Sequence, residues 1–266
     1  MGLSEALYNF AVYQFFWVAL AIFAFGVVYR IGRMFALWKR PVKAPRRARG
    51  GGYLVKTFIE TFIDPIIFSL KKKPHDFTFG LLLLHLLGVL PIIFLLGEHV
   101  VVWSYYFPPY WLVAKWGLWI PESIISGTLT VTTPVPPVGE MSYMFVSNIW
   151  GPLNIILNGD LLAILALIGV GGKIGMKLLE AAKREKNVRL GDIIDYALLL
   201  GILLAGYLAA RFRGDVIIYR ELLALHVLFA ELLLAWLPFS KYWHFVFGYW
   251  YGKLHEWWDT RYQRGA

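Results

Sequence analysis

Five apolar runs, each about twenty residues long, constrain this chain more than anything else in it. They cover Tyr8 to Tyr29, Phe77 to Gly97, Ile155 to Met176, Ile193 to Ala210 and Leu222 to Phe247. At 1.5 Å of rise per residue, twenty residues of α-helix reach about 30 Å, the thickness of a bilayer's hydrocarbon core. Hydrocarbon offers the backbone no water, so a chain crossing it must satisfy its own N–H and C=O groups, and a helix does that within one segment. The expected fold is therefore all-α: an integral membrane bundle of five transmembrane helices, one domain over residues 1–266. Composition agrees. The chain is 59% hydrophobic and only 16% charged, against about 25% charged in soluble domains.

The first run carries no charge, no Lys or Arg precedes it, and no small-residue cleavage site follows it. It reads as an uncleaved anchor and not as a signal peptide. The next segment is strongly basic, with twelve Lys and Arg between Arg30 and Lys73. Within it Leu54, Val55, Phe58, Ile59, Phe62 and Ile63 recur at helical spacing opposite Lys56, Glu60 and Thr61. That pattern predicts an amphipathic helix over about 53–64, ended near Asp64-Pro65. It suits a membrane surface and a turn buried against the bundle equally.

The stretch 98–154 holds a single cation, Lys115, and is rich in Pro, Trp and Tyr. It reads as an outer loop with the aromatic belt of a membrane interface. Cations return from the end of the third run onward, at Lys173, Lys177, Lys183, Arg184, Lys186 and Arg189, and in the tail at Lys253, Arg261 and Arg264. Basic loops face the cytoplasm, which places the N-terminus outside and the C-terminus inside, in the plasma membrane. The net charge of +9 is thus accounted for by lipid headgroups and topology, and nucleic acid is set aside as a partner. The sequence has no cysteine, which excludes disulfides, thiolate zinc sites, iron–sulfur clusters and covalently attached haem in this chain.

The histidines carry the chemistry. There are six: His75, His85, His99, His226, His244 and His255. Four lie in or beside the second and fifth runs. An ionisable group in hydrocarbon is costly and asks for a function. One helix-bundle histidine is more often a packing residue than a ligand; two pairs at matched depths favour ligation. Helix two runs outward, so His75 lies near the cytoplasm and His85 about 15 Å deeper. Helix five runs inward, so His226 lies towards the outside and His244 about 27 Å further in. Matching depth pairs His75 with His244 and His85 with His226, each pair able to hold one haem iron through two imidazoles. On continuous α-helices His226 and His244 share one face, while His75 and His85 are offset by about 80°. Pro238, between the ligands on helix five, is expected to bend it. Gly80 and Gly88 on helix two leave room either for a flat macrocycle or for close helix packing.

At these residues the chain resembles the cytochrome b family of the gamma subunit of respiratory nitrate reductase, which includes membrane subunits of heterodisulfide reductase and related sulfur-metabolism complexes. The ten-residue spacing of His75 and His85 and the eighteen-residue spacing of His226 and His244 are similar to that family's. The segment Leu237-Pro238-Phe239-Ser240-Lys241-Tyr242-Trp243-His244 looks like its PFSK-x-x-H signature. The resemblance extends roughly over helices one to five and is specific at helices two and five. It implies two haem b groups between helices two and five, a membrane quinol of the menaquinone type reacting near the outer haem, and a cytoplasmic iron–sulfur partner subunit that exchanges electrons with the inner one. The terminal catalytic site would then belong to a partner, and either direction of electron flow uses the same parts. The long aromatic loop departs from the nitrate reductase branch and points towards the sulfur-metabolism relatives.

Quinol oxidation releases two protons with two electrons and needs acceptors. Glu98, His99 and Lys115 lie on the outer side, where surface solvation explains each of them equally well. Arg220 is a candidate for a haem propionate through charge-assisted bonds, and Lys241 for the inner haem, with snorkelling as the alternative for Lys241. Asp215 and Glu221 are expected to pair with Arg211, Arg213 and Arg220. Glu231 lies about 140° around helix five from His226, facing away from it. A neutral carboxyl bonded to another helix suits it better than a proton relay. Two other classes remain: a proton-conducting transporter, for which only Glu231 and Asp195 supply carboxylates in the spans, and a membrane anchor subunit without cofactor.

Overall fold

The computed structural model describes residues 3–37, 59, 63–110, 112, 159–183, 189–212 and 214–243. The elements among them are helical, and five helices are long and apolar enough to cross a membrane: Glu5–Arg33, Asp76–Leu95, Gly159–Ala182, Leu190–Arg211 and Val216–Phe239. These are called spans one to five below. Each overlaps one of the five apolar runs. Only 17% to 28% of each span's apolar window is buried, so most of this surface faces outward. On span one, Trp17, Phe25 and Val28 are each about two-thirds exposed. In water such a surface would be a large apolar patch; against lipid it is the ordinary outer face of a membrane helix.

The ends of the spans follow local capping chemistry. Asp215 accepts bonds from the backbone N–H groups of Ile217 and Ile218, both at 3.0 Å, so span five starts at Val216, six residues before the apolar run. That carboxylate is an N-cap. Span four starts at Leu190, where Asp192 in the first turn accepts from the Arg189 backbone N–H at 3.3 Å. A shorter helix, Asp64–Lys72, begins at the Asp-Pro step where the amphipathic helix was expected to end. Proline has no N–H to lose in a first helical turn and its fixed φ suits the start. Most of the expected helix 53–64 lies outside the described residues.

The chain forms two compact units, residues 1–68 with 186–266, and residues 69–185. In the first, span five packs against both span one and span four. Spans one and five run parallel in register. The Arg220 guanidinium stands over the Tyr8 ring at 5.9 Å near one end, and Arg30 Nε donates to the Pro238 carbonyl at 2.7 Å near the other. A Cβ on Gly26 would come within 2.6 Å of Pro238, so a glycine is what lets span one meet that proline.

Span five does not continue through Pro238 with a bend. Its α-helix ends at Trp236, a 3-10 turn covers Leu237–Phe239, and Ser240 is extended. Proline removes a helical N–H and clashes with the carbonyl one turn back. The α-helix holding His226 therefore stops eight residues before His244, which lies outside the described residues, so the two do not lie on one continuous helix.

In the second unit, spans two and three pack antiparallel. A Cβ on Gly169 would lie 2.8 Å from the Leu84 backbone nitrogen, and one on Gly88 would lie 2.7 Å from the Ala166 Cβ. Gly88 is therefore a packing glycine. Lys173 and Asp76 form an ion pair at 2.5 Å. Span two is π-helical from Asp76 to Val89, as is span one from Phe10 to Phe15. Its hydrogen bonds reach one residue further than in an α-helix, so the 80° offset between His75 and His85 does not carry over.

The stretch expected as an outer loop opens with a helix, Gly97–Tyr106, and from residue 113 to 158 it lies outside the described residues. The corner between the two helices is an extended residue, Leu96. Three consecutive carbonyls at the end of span two then find donors from the following segment. Ile92 accepts from His99 Nδ1 (2.5 Å), Ile93 from Trp103 Nε1 (2.8 Å) and Phe94 from the Tyr110 hydroxyl (2.6 Å). These are carbonyls that a helix end leaves without intrahelical partners.

Candidate functional site

His226 lies half-buried in the first half of span five, turned towards span four. Its Nδ1 is 2.8 Å from the carbonyl oxygen of Ile202. A carbonyl only accepts, so Nδ1 carries the hydrogen, and in the uncharged ring the lone pair is on Nε2. Span four makes room for this ring at Gly206, where a Cβ would stand 2.7 Å from Nδ1 and 2.9 Å from Cε1. Residue 206 is also the one whose N–H the Ile202 carbonyl meets in an α-helix. One helical turn thus supplies both the acceptor and the clearance.

His85, half-buried in the middle of span two, repeats the arrangement within its own helix. Its Nδ1 lies 2.6 Å from the carbonyl oxygen of Gly80, so the lone pair again falls on Nε2. A Cβ on Gly80 would meet only the Lys173 side chain, at 3.6 Å. The two histidines nearest mid-span therefore share one tautomer, fixed by a backbone carbonyl. That is the arrangement in which a ring nitrogen serves as a metal ligand, with the other N–H orienting the ring.

The remaining expected site residues are placed as follows. His75 is exposed, just before span two. His244 and Lys115 lie outside the described residues. Glu98 is on the helix Gly97–Tyr106, its side chain outside the described residues. His99, on the same helix, holds the Ile92 carbonyl through Nδ1. Arg220 is exposed at the start of span five, over Tyr8. Glu231 is 5% exposed, and no described residue hydrogen-bonds its Oε2, so the expected bond from that oxygen to a neighbouring helix is absent among the described residues. The register that sets Tyr8 beside Arg220 and Gly26 beside Pro238 puts Glu231 level with Ala19, which is fully buried.

Lys241 is held by carboxylates. Its Nζ is 3.2 Å from Asp192 and 3.4 Å from Asp195, and 4.1 Å from the centre of the Tyr196 ring. Asp195 is 2% exposed and takes the Trp236 indole N–H at 2.7 Å, while its backbone carbonyl accepts from the Tyr242 hydroxyl at 3.1 Å. The Arg30 guanidinium stands over Trp243 at 5.8 Å. Burial pulls the Lys241 ammonium towards neutrality, but Tyr196, Asp192 and Asp195 outweigh it and hold its pKa above the ordinary value. Burial, then Asp195, Tyr196 and Asp192, push the Tyr242 phenol well up. Ion pairing, not snorkelling alone, accounts for Lys241. The signal for this cluster was in the sequence: two aspartates at i, i+3 on span four and a lysine just past the proline that ends span five.

What the site can do follows from its donors. If a haem were bound, the imidazoles of His85 and His226, each with its Nδ1–H anchored on a carbonyl, are the side chains that would offer Nε2 to an iron. Among the described residues no three His, Cys, Asp or Glu side chains converge as a bare metal ion would need. Arg220 offers a cation to an acidic substituent, and His99 offers an imidazole beside the aromatic segment Trp103 to Tyr110. No protein-family model, no curated protein and no solved structure matches this chain.

Proposed function

We propose that this chain is the di-haem cytochrome b subunit of a respiratory oxidoreductase complex, linking a menaquinone-type membrane quinol to a cytoplasmic iron–sulfur partner. The observation that carries the reading is the bond from Nδ1 to a backbone carbonyl at both His85 and His226. It fixes in each the tautomer a haem iron takes. In this reading His85 and His226 ligate the haem nearer the outside, and His75 and His244 the one nearer the cytoplasm. The bound haems would supply one-electron carriers at two depths of the membrane.

The chain's own residues do the rest. The N–H held by each carbonyl orients the imidazole and raises its basicity as a ligand. Arg220 is the stronger candidate for a propionate, since Lys241 is already matched by two carboxylates. On the quinol side, His99 donates through Nδ1 to Ile92, which puts the lone pair on Nε2, where a quinol hydroxyl can give its proton. Glu98 and Lys115 belong to the same side. The basic segments Arg30 to Lys73 and Lys173 to Arg189 face the cytoplasm and attract an acidic docking surface on the iron–sulfur subunit.

The test is a spectrum and four substitutions. The purified chain is expected to give the reduced-minus-oxidised bands of haem b at about two per chain. His85→Ala and His226→Ala should remove one component, and His75→Ala and His244→Ala the other. A folded, colourless protein refutes the proposal. So does a pattern in which His85 and His226 affect different components.

A further inference from the structure

Two glycines on span four face aromatic rings of span five, and they differ in what they serve. A Cβ on Gly201 would meet the Phe229 ring at 2.8 Å, a contact between packing groups. A Cβ on Gly206 would meet the His226 imidazole at 2.7 Å, on the nitrogen that binds the Ile202 carbonyl. A contact under 3 Å forces a shift, and here what shifts is the end of a two-torsion side chain.

We propose that Gly206 and the Ile202 carbonyl are positioning groups for His226: together they set the plane and the tautomer in which its imidazole meets a haem iron. The inference rests on the reading of His226 as a ligand. An α-helical carbonyl already bonded to the N–H four residues on has a second lone pair, pointing out over the next turn. A side chain on residue 206 would cover that approach. With only hydrogen there, the imidazole lies against the helix backbone and donates to Ile202. A methyl group at 206 pushes the ring outward, loosens the Nδ1–H bond, and frees the ring to rotate and to exchange tautomers. Outer groups of this kind hold first ligands in line, and their loss typically weakens metal binding about 10–100-fold.

The experiment compares Gly206→Ala with Gly201→Ala in the full chain, purified with its haems. Both add one methyl group to the same helix pair, so a purely structural effect is matched between them. Gly206→Ala is expected to lower haem content from about two towards about one per chain, or to shift the midpoint potential and low-spin signature of one component alone. Gly201→Ala is expected to leave both components as in the parent. Unchanged haem content, potentials and signatures in Gly206→Ala overturn the inference, as does an equal effect of the two variants.

A second readout does not need haem occupancy. Nitrogen-15 magnetic resonance of the ring, on the full chain under reducing conditions, is expected to find hydrogen on Nδ1 of His226 in the parent and a loss of that bond in Gly206→Ala. Hydrogen on Nε2 in the parent overturns the inference. A chain with the Nδ1–H tautomer and no haem spectrum overturns the proposed function while leaving this positioning geometry intact, so the two failures are distinguishable.

Discussion

Removing the Asp195 carboxylate should uncouple the end of span five from span four, by an amount the structure bounds. The side chain is almost fully buried and accepts the Trp236 indole N–H at 2.7 Å. Neutral hydrogen bonds between membrane helices average about 0.6 kcal/mol in double-mutant cycles. A charged acceptor roughly doubles this, to about 1.2 kcal/mol. The Lys241 contact at 3.4 Å, with the lysine 41% exposed, adds at most about 0.5 kcal/mol after solvent screening. Asp195→Ala also strands the indole N–H, at about 1–3 kcal/mol, so the single variant should lose about 3–5 kcal/mol. Trp236→Phe removes the donor. The pair should then cost at least about 1.2 kcal/mol less than the sum of the singles, because the double variant leaves no stranded N–H, and Asp195→Asn, which keeps an acceptor, should cost less than Asp195→Ala. The assay is reversible unfolding in mixed detergent micelles. Additivity of Asp195→Ala and Trp236→Phe within about 0.3 kcal/mol would refute the reasoning.

Two further outcomes follow from packing. Gly88→Ala drives a methyl against Ala166 and the Leu83 carbonyl, each 2.7 Å away, and should cost about 1–3 kcal/mol. Ala166→Gly in the same chain should recover part of that, and no recovery would mean the contact is not what resists the methyl. Glu231→Leu replaces a buried carboxyl with an unbonded oxygen by an apolar group of similar size. It should raise stability by about 1 kcal/mol, with Glu231→Gln near neutral; a loss of stability in Glu231→Leu would show that the carboxyl has a partner.

The five spans were legible because lipid demands length and apolarity together, and few other constraints produce both. Their ends were less so. Hydropathy begins span five at Leu222, but the residue that starts the helix is Asp215, whose polarity removes it from an apolar count while its side-chain oxygen caps the first turn. Pro238 was read as a bend because the apolar pattern runs on through Phe247, whereas the backbone leaves the helix at Ser240. The π-helical course of span two has no sequence signal, since it depends on where the hydrogen bonds close and not on which side chains are apolar. Gly88 illustrates a different limit: a glycine in a span marks close approach, yet its identity does not say whether a macrocycle or a helix approaches. Lys241 was readable as a cation near the interface. That two carboxylates on span four hold it required knowing which faces of spans four and five meet. The pairing of histidines by depth came from counting residues, and the carbonyl that orients each ring came only from tertiary structure in the case of His226, where donor and acceptor are 24 residues apart.

The reversal at Leu96 bears on how deep this chain can sit. A helix end usually needs water or headgroups for its last carbonyls, which keeps it at the polar boundary. Here an imidazole, an indole and a phenol fill that need from the chain itself. Such a turn tolerates immersion in acyl chains better than an uncapped helix end, so a thicker bilayer can engulf the corner with three of its carbonyls already bonded. Membrane thickness would then change how far the aromatic segment stands from the surface before it changed the fold.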